Sequence, residues 1–252
     1  MGYEATRRVE ASARTFAIVE RLSESSRLGV SELADELDMS KGIVHNHLST
    51  LRERGYVRQT EDKYQLSPRL LGVGLRARSN TELYRVAGGL CDEFAEQLDI
   101  SAVLCCHGDT DCTVIQRYGD QSTTDIGVGT TFPLADSLVG LAIRLADSGD
   151  DGPVDGTGPY DVADLRRSLE RFGYVTGPLS RAYDVSGVAV PILDEGECRG
   201  GVAVLLADDE RDQRLDNVTG ATASLRDRIE GRFDAGWTEE RSFATEKHSW
   251  IG

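Results

Sequence analysis

Residues 29–66 read GVSELADELDMSKGIVHNHLSTLRERGYVRQTEDKYQL. Residues 31–37 have the spacing of a short amphipathic helix, with Leu33, Ala34 and Leu37 on one face. Asp38 and Met39 make a tight connection. Ser40 is suited to cap the next helix, because its hydroxyl can accept from the free N–H groups of a first turn. That helix runs to about Arg54 and turns Ile43, Val44, Leu48 and Leu51 inward, and Gly55 ends it as a left-handed C′ glycine. Residues 56–59 and 63–66 then have the pattern of two short strands around a polar turn at Thr60, Glu61 and Asp62. Two helices joined by a short turn and followed by a hairpin predict a winged helix-turn-helix.

The outward face of the second helix carries Lys41, Gly42, His45, Asn46, Ser49 and Arg52, with no acid between Lys41 and Arg52. A surface helix on an acidic protein ordinarily shows Glu and Asp to solvent. Here the side chains are donors suited to phosphates and to base edges in a major groove. The expected partner is double-stranded operator DNA. Ser40, Lys41, Gly42, His45 and Asn46 would lie nearest bases or phosphates, with Ser49 and Arg52 further along the same face. Arg58, Gln59 and Lys63 of the wing would touch the adjacent backbone or minor groove. Asn46 has the amide that reads adenine, and Gly42 permits close backbone approach. The competing interpretation, a helical hairpin inside some other core, does not explain the hairpin wing that follows.

The formal net charge of −15 argues against nucleic acid until its distribution is considered. Residues 1–80 hold 13 Lys and Arg against 11 Asp and Glu, a net +2, and the remaining 172 hold 15 against 32, a net −17. A slightly basic module on an acidic body predicts that a polyanion touches only the first part. The only lysines are Lys41, Lys63 and Lys247. Acid-rich, lysine-poor composition points to a salt-adapted, halophilic protein. In molar salt the Debye length falls to about 3 Å, so counterion release contributes little and direct hydrogen bonding must do more.

The 252 residues suffice for two domains. No apolar run approaches a membrane span, and the N-terminal residues lack the apolar core of a signal peptide, so a cytoplasmic location and no membrane partner are expected. The five cysteines are scattered, as in a reducing compartment. Cys105, Cys106, His107 and Cys112 form the one cluster with metal or redox character. Neighbours on a strand point to opposite faces, so Cys105 and Cys106 cannot share a metal without distortion, and buried thiols are the expectation. No cofactor and no metal site are expected.

Ahead of the helix-turn-helix, residues 10–23 are expected to form a helix with Phe16, Val19 and Leu22 inward. Pro68 opens an apolar helix over 69–78, and a further helix covers 81–98. Strand-like runs follow at 102–107, 112–117 and 124–128, a helix at 134–146, a loop at 147–160 and a helix at 161–172. Strands at 175–176, 187–193 and 200–207 and a helix over about 212–233 close the chain, leaving a tail with Trp237 and Trp250. Strands interrupted by helices on one face predict an α+β sheet domain, and the fold class is mixed α/β (α+β).

Three segments together resemble the IclR family of transcriptional regulators. They are GYVRQTEDKYQLSPRLLGVG after the helix-turn-helix, IGVGTTFPLADSLVGLAIRLA at 126–146, and LSRAYDVSGVAVPILDEGECRGGVAVLLA at 179–207. The resemblance implies an N-terminal winged helix-turn-helix (1–66), a linker helix that helps dimerise (67–80), a C-terminal GAF-like effector-binding domain (81–235) and a C-terminal tail (236–252). It also implies a homodimer or tetramer and a small-molecule effector. Residues expected near an effector pocket are Tyr118, Leu134, Asp136, Ser137, Gly140 and Gly187. Where the family often has His-Ala-Thr after Pro-Leu, this chain has Ala135, Asp136 and Ser137, and Asp136 would repel a carboxylate unless paired. The alternative function is a metabolite sensor whose DNA module is secondary. An enzyme is not expected: there is no nucleophile elbow, no His-Glu metal helix, and Gly127 and Gly129 lack the spacing of a phosphate loop, so no catalytic residue is assigned.

Overall fold

The computed structural model describes residues 6–120, 124–147 and 159–235. The tail with Trp237 and Trp250, and most of the expected loop at 147–160, lie outside the described residues. The described chain divides into two compact units, one running to Arg78 and one from Ser79 onward.

The first unit comprises α1 (Glu10–Ser23), β1 (Leu28–Gly29), α2 (Val30–Glu36), α3 (Lys41–Glu53), β2 (Val57–Thr60), β3 (Lys63–Leu66) and most of α4 (Arg69–Ser79). Its core gathers Ile18, Leu22, Leu28, Leu33, Ala34, Val44, Leu48, Leu51, Val57 and Tyr64. The expected helix-turn-helix and both wing strands are present. A strand that periodicity did not reveal, β1, pairs with β3, so the wing belongs to a three-stranded antiparallel sheet of order β1-β3-β2.

The inward face of α1 differs from expectation. Phe16 is 66% exposed, whereas Ile18 and Leu22 are buried. At 100° per residue, Ile18 and Leu22 lie 40° apart while Phe16 lies on nearly the opposite side. The three-residue step from Phe16 through Val19 to Leu22 drifts around the helix by about 60° each time and so departs from the buried stripe.

The second unit begins with α5 (Glu82–Leu98), β4 (Ser101–His107), β5 (Asp111–Tyr118), β6 (Thr131–Pro133) and α6 (Leu138–Ala146). It continues through α7 (Val162–Phe172), β7 (Val175–Ser180), β8 (Tyr183–Asp194), β9 (Glu197–Leu206) and α8 (Asp208–Asp234). The six strands form one antiparallel sheet of order β6-β5-β4-β9-β8-β7. Helices cover both faces, not one. Val103, Cys105, Ala189 and Ala203 pack with residues of α6 and α7. Ala102, Leu104, Val188, Val190 and Val204 pack with α5 and α8. The alternation along β4, β8 and β9 is the two-residue period of a sheet buried on both sides.

Two boundaries move for local reasons. The expected strand at 124–128 is a loop: Gly129, with φ +94°, forms a turn in which Thr130 N–H donates to Gly127 O at 3.0 Å, and the third strand of the meander is β6 instead. Gly127 and Gly129 therefore serve a turn. The helix expected from 134 starts at Leu138, because Ser137 takes the cap position and accepts from Gly140 N–H at 3.1 Å. Leu48→Ala, emptying a fully buried position, should cost about 2–5 kcal/mol in urea unfolding followed by circular dichroism.

Candidate nucleic-acid interface

Local sequence sets the ends of α3. Ser40 has extended backbone angles and its hydroxyl accepts from Ile43 N–H at 3.3 Å. At the far end Gly55 has φ +77°, its N–H donates to Arg52 O at 3.0 Å, and Tyr56 N–H donates to Leu51 O at 2.9 Å. This pair of bonds is the Schellman arrangement that a C′ glycine permits. The turn before α3 uses Asp38 at φ +50°, with Met39 N–H donating to Ala34 O at 2.9 Å. Asp tolerates the left-handed region better than most residues, so the turn can be this short.

With both ends fixed, the buried stripe of Val44, Leu48 and Leu51 determines what faces out. Lys41, Gly42, His45, Asn46 and Arg52 are exposed, and Ser49 is half-buried. The side chains of Lys41, His45 and Asn46 make no hydrogen bond to a described residue. A Cβ added at Gly42 would meet nothing within 4 Å. Glycine in a helix costs about 0.5–1 kcal/mol relative to alanine, and no packing inside this unit requires it. His47, on the same helix, is half-buried and bound: its Nδ1 lies 2.8 Å from the Thr15 hydroxyl on α1. It fixes α3 on α1 and is not on the open face. The i, i+2 offset from His45 was the available signal for that difference.

The wing side chains divide into free and tied. Arg58 is exposed. Gln59 accepts from Arg52 Nη1 and donates through Nε2 to Glu61 O at 3.0 Å. Lys63 Nζ lies 3.3 Å from Glu32 Oε1, and the other carboxylate oxygen accepts from Gly29 N–H at 2.6 Å. The Gly29 N–H and then Lys63 hold the Glu32 carboxyl below the ordinary range. Glu32 at the third position of α2 thus closes the helix start and anchors β3 in one residue, a role its spacing from Gly29 indicates.

The residues expected near an effector pocket do not all meet. Leu134, Asp136, Ser137 and Gly140 gather at the start of α6. Ser137 is fully buried, donates to Pro133 O at 3.0 Å and bridges by its backbone to Ser180. Gly140 is required by close approach: a Cβ there would sit 2.6 Å from Leu134 Cα. Asp136 is paired with Arg181 at 3.2 Å, which answers its charge. Gly187 lies in β8 between β7 and β9, where a Cβ would meet Val204 O at 2.1 Å. Tyr118 is on the other face of the sheet, with α5 and α8. Tyr160, Ser180 and Arg181 complete the α6 end, and Tyr160 donates to Pro178 O at 2.9 Å. These contacts span too much sequence for any local pattern to reveal them.

The cysteine cluster divides between the two faces, with Cys105 and Cys112 together on one and Cys106 on the other. Cys105 faces the α6 side and Cys106 the α5 side. Burial pushes the Cys106 and Cys198 thiols each up to about 11, and His107 Nε2 lies 2.7 Å from Cys198 O. Among the described residues, no group of three or more His, Cys, Asp or Glu is placed to hold a metal ion. No helix among them is long and apolar enough to cross a membrane.

Comparison with known proteins agrees with this geometry. Residues 11–61 match the model of the IclR helix-turn-helix domain. The probable HTH-type transcriptional regulator ArcR of Halobacterium salinarum is 32% identical over 120 residues, which are 47% of this chain and 46% of that protein. The chain covers less than half the length of the first curated relatives it matches. The crystal structure of an IclR transcriptional regulator from Alicyclobacillus acidocaldarius superposes with a TM-score of 0.75 at 19% identity, covering 90% of this chain and 100% of that one. An IclR homolog from Microbacterium hydrocarbonoxydans complexed with 4-hydroxybenzoate gives 0.69 at 20% identity, over 88% and 99%. The mixed α and β fold, with an N-terminal helix-turn-helix region and a C-terminal sheet unit, is that of these regulator structures.

Removing the α3 cap by Ser40→Ala should destabilise the first unit by about 0.5–2 kcal/mol. Chemical denaturation of the full chain measures it. Gly187→Ala should cost about 1–3 kcal/mol by overpacking the sheet, which differential unfolding of the second unit would detect.

Proposed function

We propose that this chain is a sequence-specific DNA-binding transcriptional regulator of the IclR type, acting in the cytoplasm on operator DNA. The observation that carries the reading is the open face of α3. It is acid-free from Lys41 to Arg52, presents Lys41, His45 and Asn46 with no hydrogen bond to a described residue, and includes a glycine that nothing in its own unit demands. The match of residues 11–61 to the IclR helix-turn-helix domain supports the same assignment.

In this reading, residues 1–66 bind DNA, residues 67–80 link and dimerise, and residues 81–235 form a GAF-like effector domain. The protein works as a homodimer or a tetramer. Support for the linker role comes from α4, where Leu71, Val73 and Leu75 are 64%, 49% and 39% exposed. Leu71 and Leu75 lie about 40° apart on one face, with Val73 nearly opposite, and exposed apolar side chains of that size are covered in an assembly more readily than they are left in water. A small organic effector acting through the second unit is supported by the paired state of Asp136, which leaves the start of α6 without an unanswered negative charge. The relative crystallised with 4-hydroxybenzoate supports the same expectation. The chain's three lysines against 43 acids support work in concentrated salt, where hydrogen bonds and shape replace counterion release.

Selection of duplexes from a random-sequence pool, repeated at graded potassium chloride, tests the proposal. The wild-type chain should enrich a defined motif that survives high salt. Lys41→Ala and Asn46→Ala should each weaken its binding, Asn46→Ala by about 1–3 kcal/mol if the amide pairs with adenine. Their thermal unfolding should match the wild type. Enrichment of no motif would defeat the assignment.

A further inference from the structure

Gln59 uses both ends of its amide within the chain. Its oxygen accepts from Arg52 Nη1, in the last turn of α3, and its nitrogen donates to the carbonyl of Glu61 at 3.0 Å. Glu61 stands at the wing turn between the paired Thr60 and Lys63, with φ +55°. A glutamate holds that left-handed conformation only when something keeps it there. The three residues form one continuous tie from the reading helix, across β2, to the wing tip.

We propose that Gln59 does not read DNA but is a positioning residue that aims the Arg52 guanidinium at a backbone phosphate. The proposal rests on the DNA-binding reading above. A guanidinium has five N–H donors, and the Gln59 bond occupies only one group of them. The others keep the fork that matches two phosphate oxygens. Reading helices insert by their N-terminal part. Arg52 lies seven residues beyond His45, roughly 10 Å along the axis, where a groove gives way to its sugar-phosphate edge. Freed from Gln59, the arginine would sample many rotamers and would lose that freedom on binding. The opposite strand is tied separately through Lys63 and Glu32, so the effect of Gln59 on binding runs through Arg52.

The test uses the full chain, a duplex enriched from a random pool by the wild type, and a scrambled duplex of equal composition. Affinities are read by fluorescence anisotropy over a salt series for Gln59→Met, Arg52→Ala and the double variant. Gln59→Met should weaken binding to both duplexes by the same factor, about three- to tenfold, because a phosphate carries no sequence. In the Arg52→Ala background it should cause no further loss. Arg52→Ala should lower the slope of log affinity against log salt by about one. A Gln59→Met loss confined to the selected duplex, a loss that adds to that of Arg52→Ala, or no loss would overturn the positioning role while leaving the regulator reading intact. If the wild type enriches no duplex, both fall.

Discussion

The burial of one stripe of α3 is the constraint on which the rest of the first unit depends. Val44, Leu48 and Leu51 join Ile18, Leu22 and Leu33 in a single small core, and their burial fixes the rotation of the helix. A turn of one residue would carry each side chain through 100° and exchange the polar face for the core. The caps at Ser40 and Gly55 set the helix length, and His47 with Thr15 fixes its seat on α1. The DNA-facing chemistry is what remains once those positions are taken. It is defined by exclusion, and at its leading end Lys41, His45 and Asn46 make no hydrogen bond to a described residue, while Arg52 is tied to Gln59.

The second unit solves a different problem. Its sheet is apolar on both faces, so the strands read as runs of Val, Ala and Leu rather than alternating patterns. Such a sheet needs a helical layer on each side, and the chain supplies α5 with α8 on one and α6 with α7 on the other. The glycines of β8 and β9 meet the same demand for closeness: Gly187 and Gly200 each have a neighbouring carbonyl oxygen within 2.2 Å of where a Cβ would stand. Ser137 and Ser180 close the start of α6 by a backbone bridge, which makes that end part of the sheet's own framework.

Much of this was legible in the sequence because the signals were local. The Ser40 cap, the Gly55 stop, the stripe of α3 and the wing strands each sit within a few residues of what they determine. Phe16 shares a three-residue spacing with Val19 and Leu22, but the buried stripe of α1 runs through Ile18 and Leu22. The strand β1 is two residues long and has no pattern to read. The separation of Tyr118 from Ser137 depends on which face of a doubly covered sheet each residue takes, and continuous apolar runs hide that parity. The ties from Arg52 to Gln59 and from Lys63 to Glu32 join polar surface residues, whose pairing no periodicity encodes.

The lack of internal partners for Lys41, His45 and Asn46 has an evolutionary consequence. Substitutions there disturb neither the core nor the caps, so the fold places almost no selective brake on them. Duplicated copies of such a chain can drift in what they recognise at little risk of misfolding, while Val44, Leu48 and Gly55 stay fixed. A scaffold whose recognition letters are energetically uncoupled from its architecture can found many lineages with distinct targets.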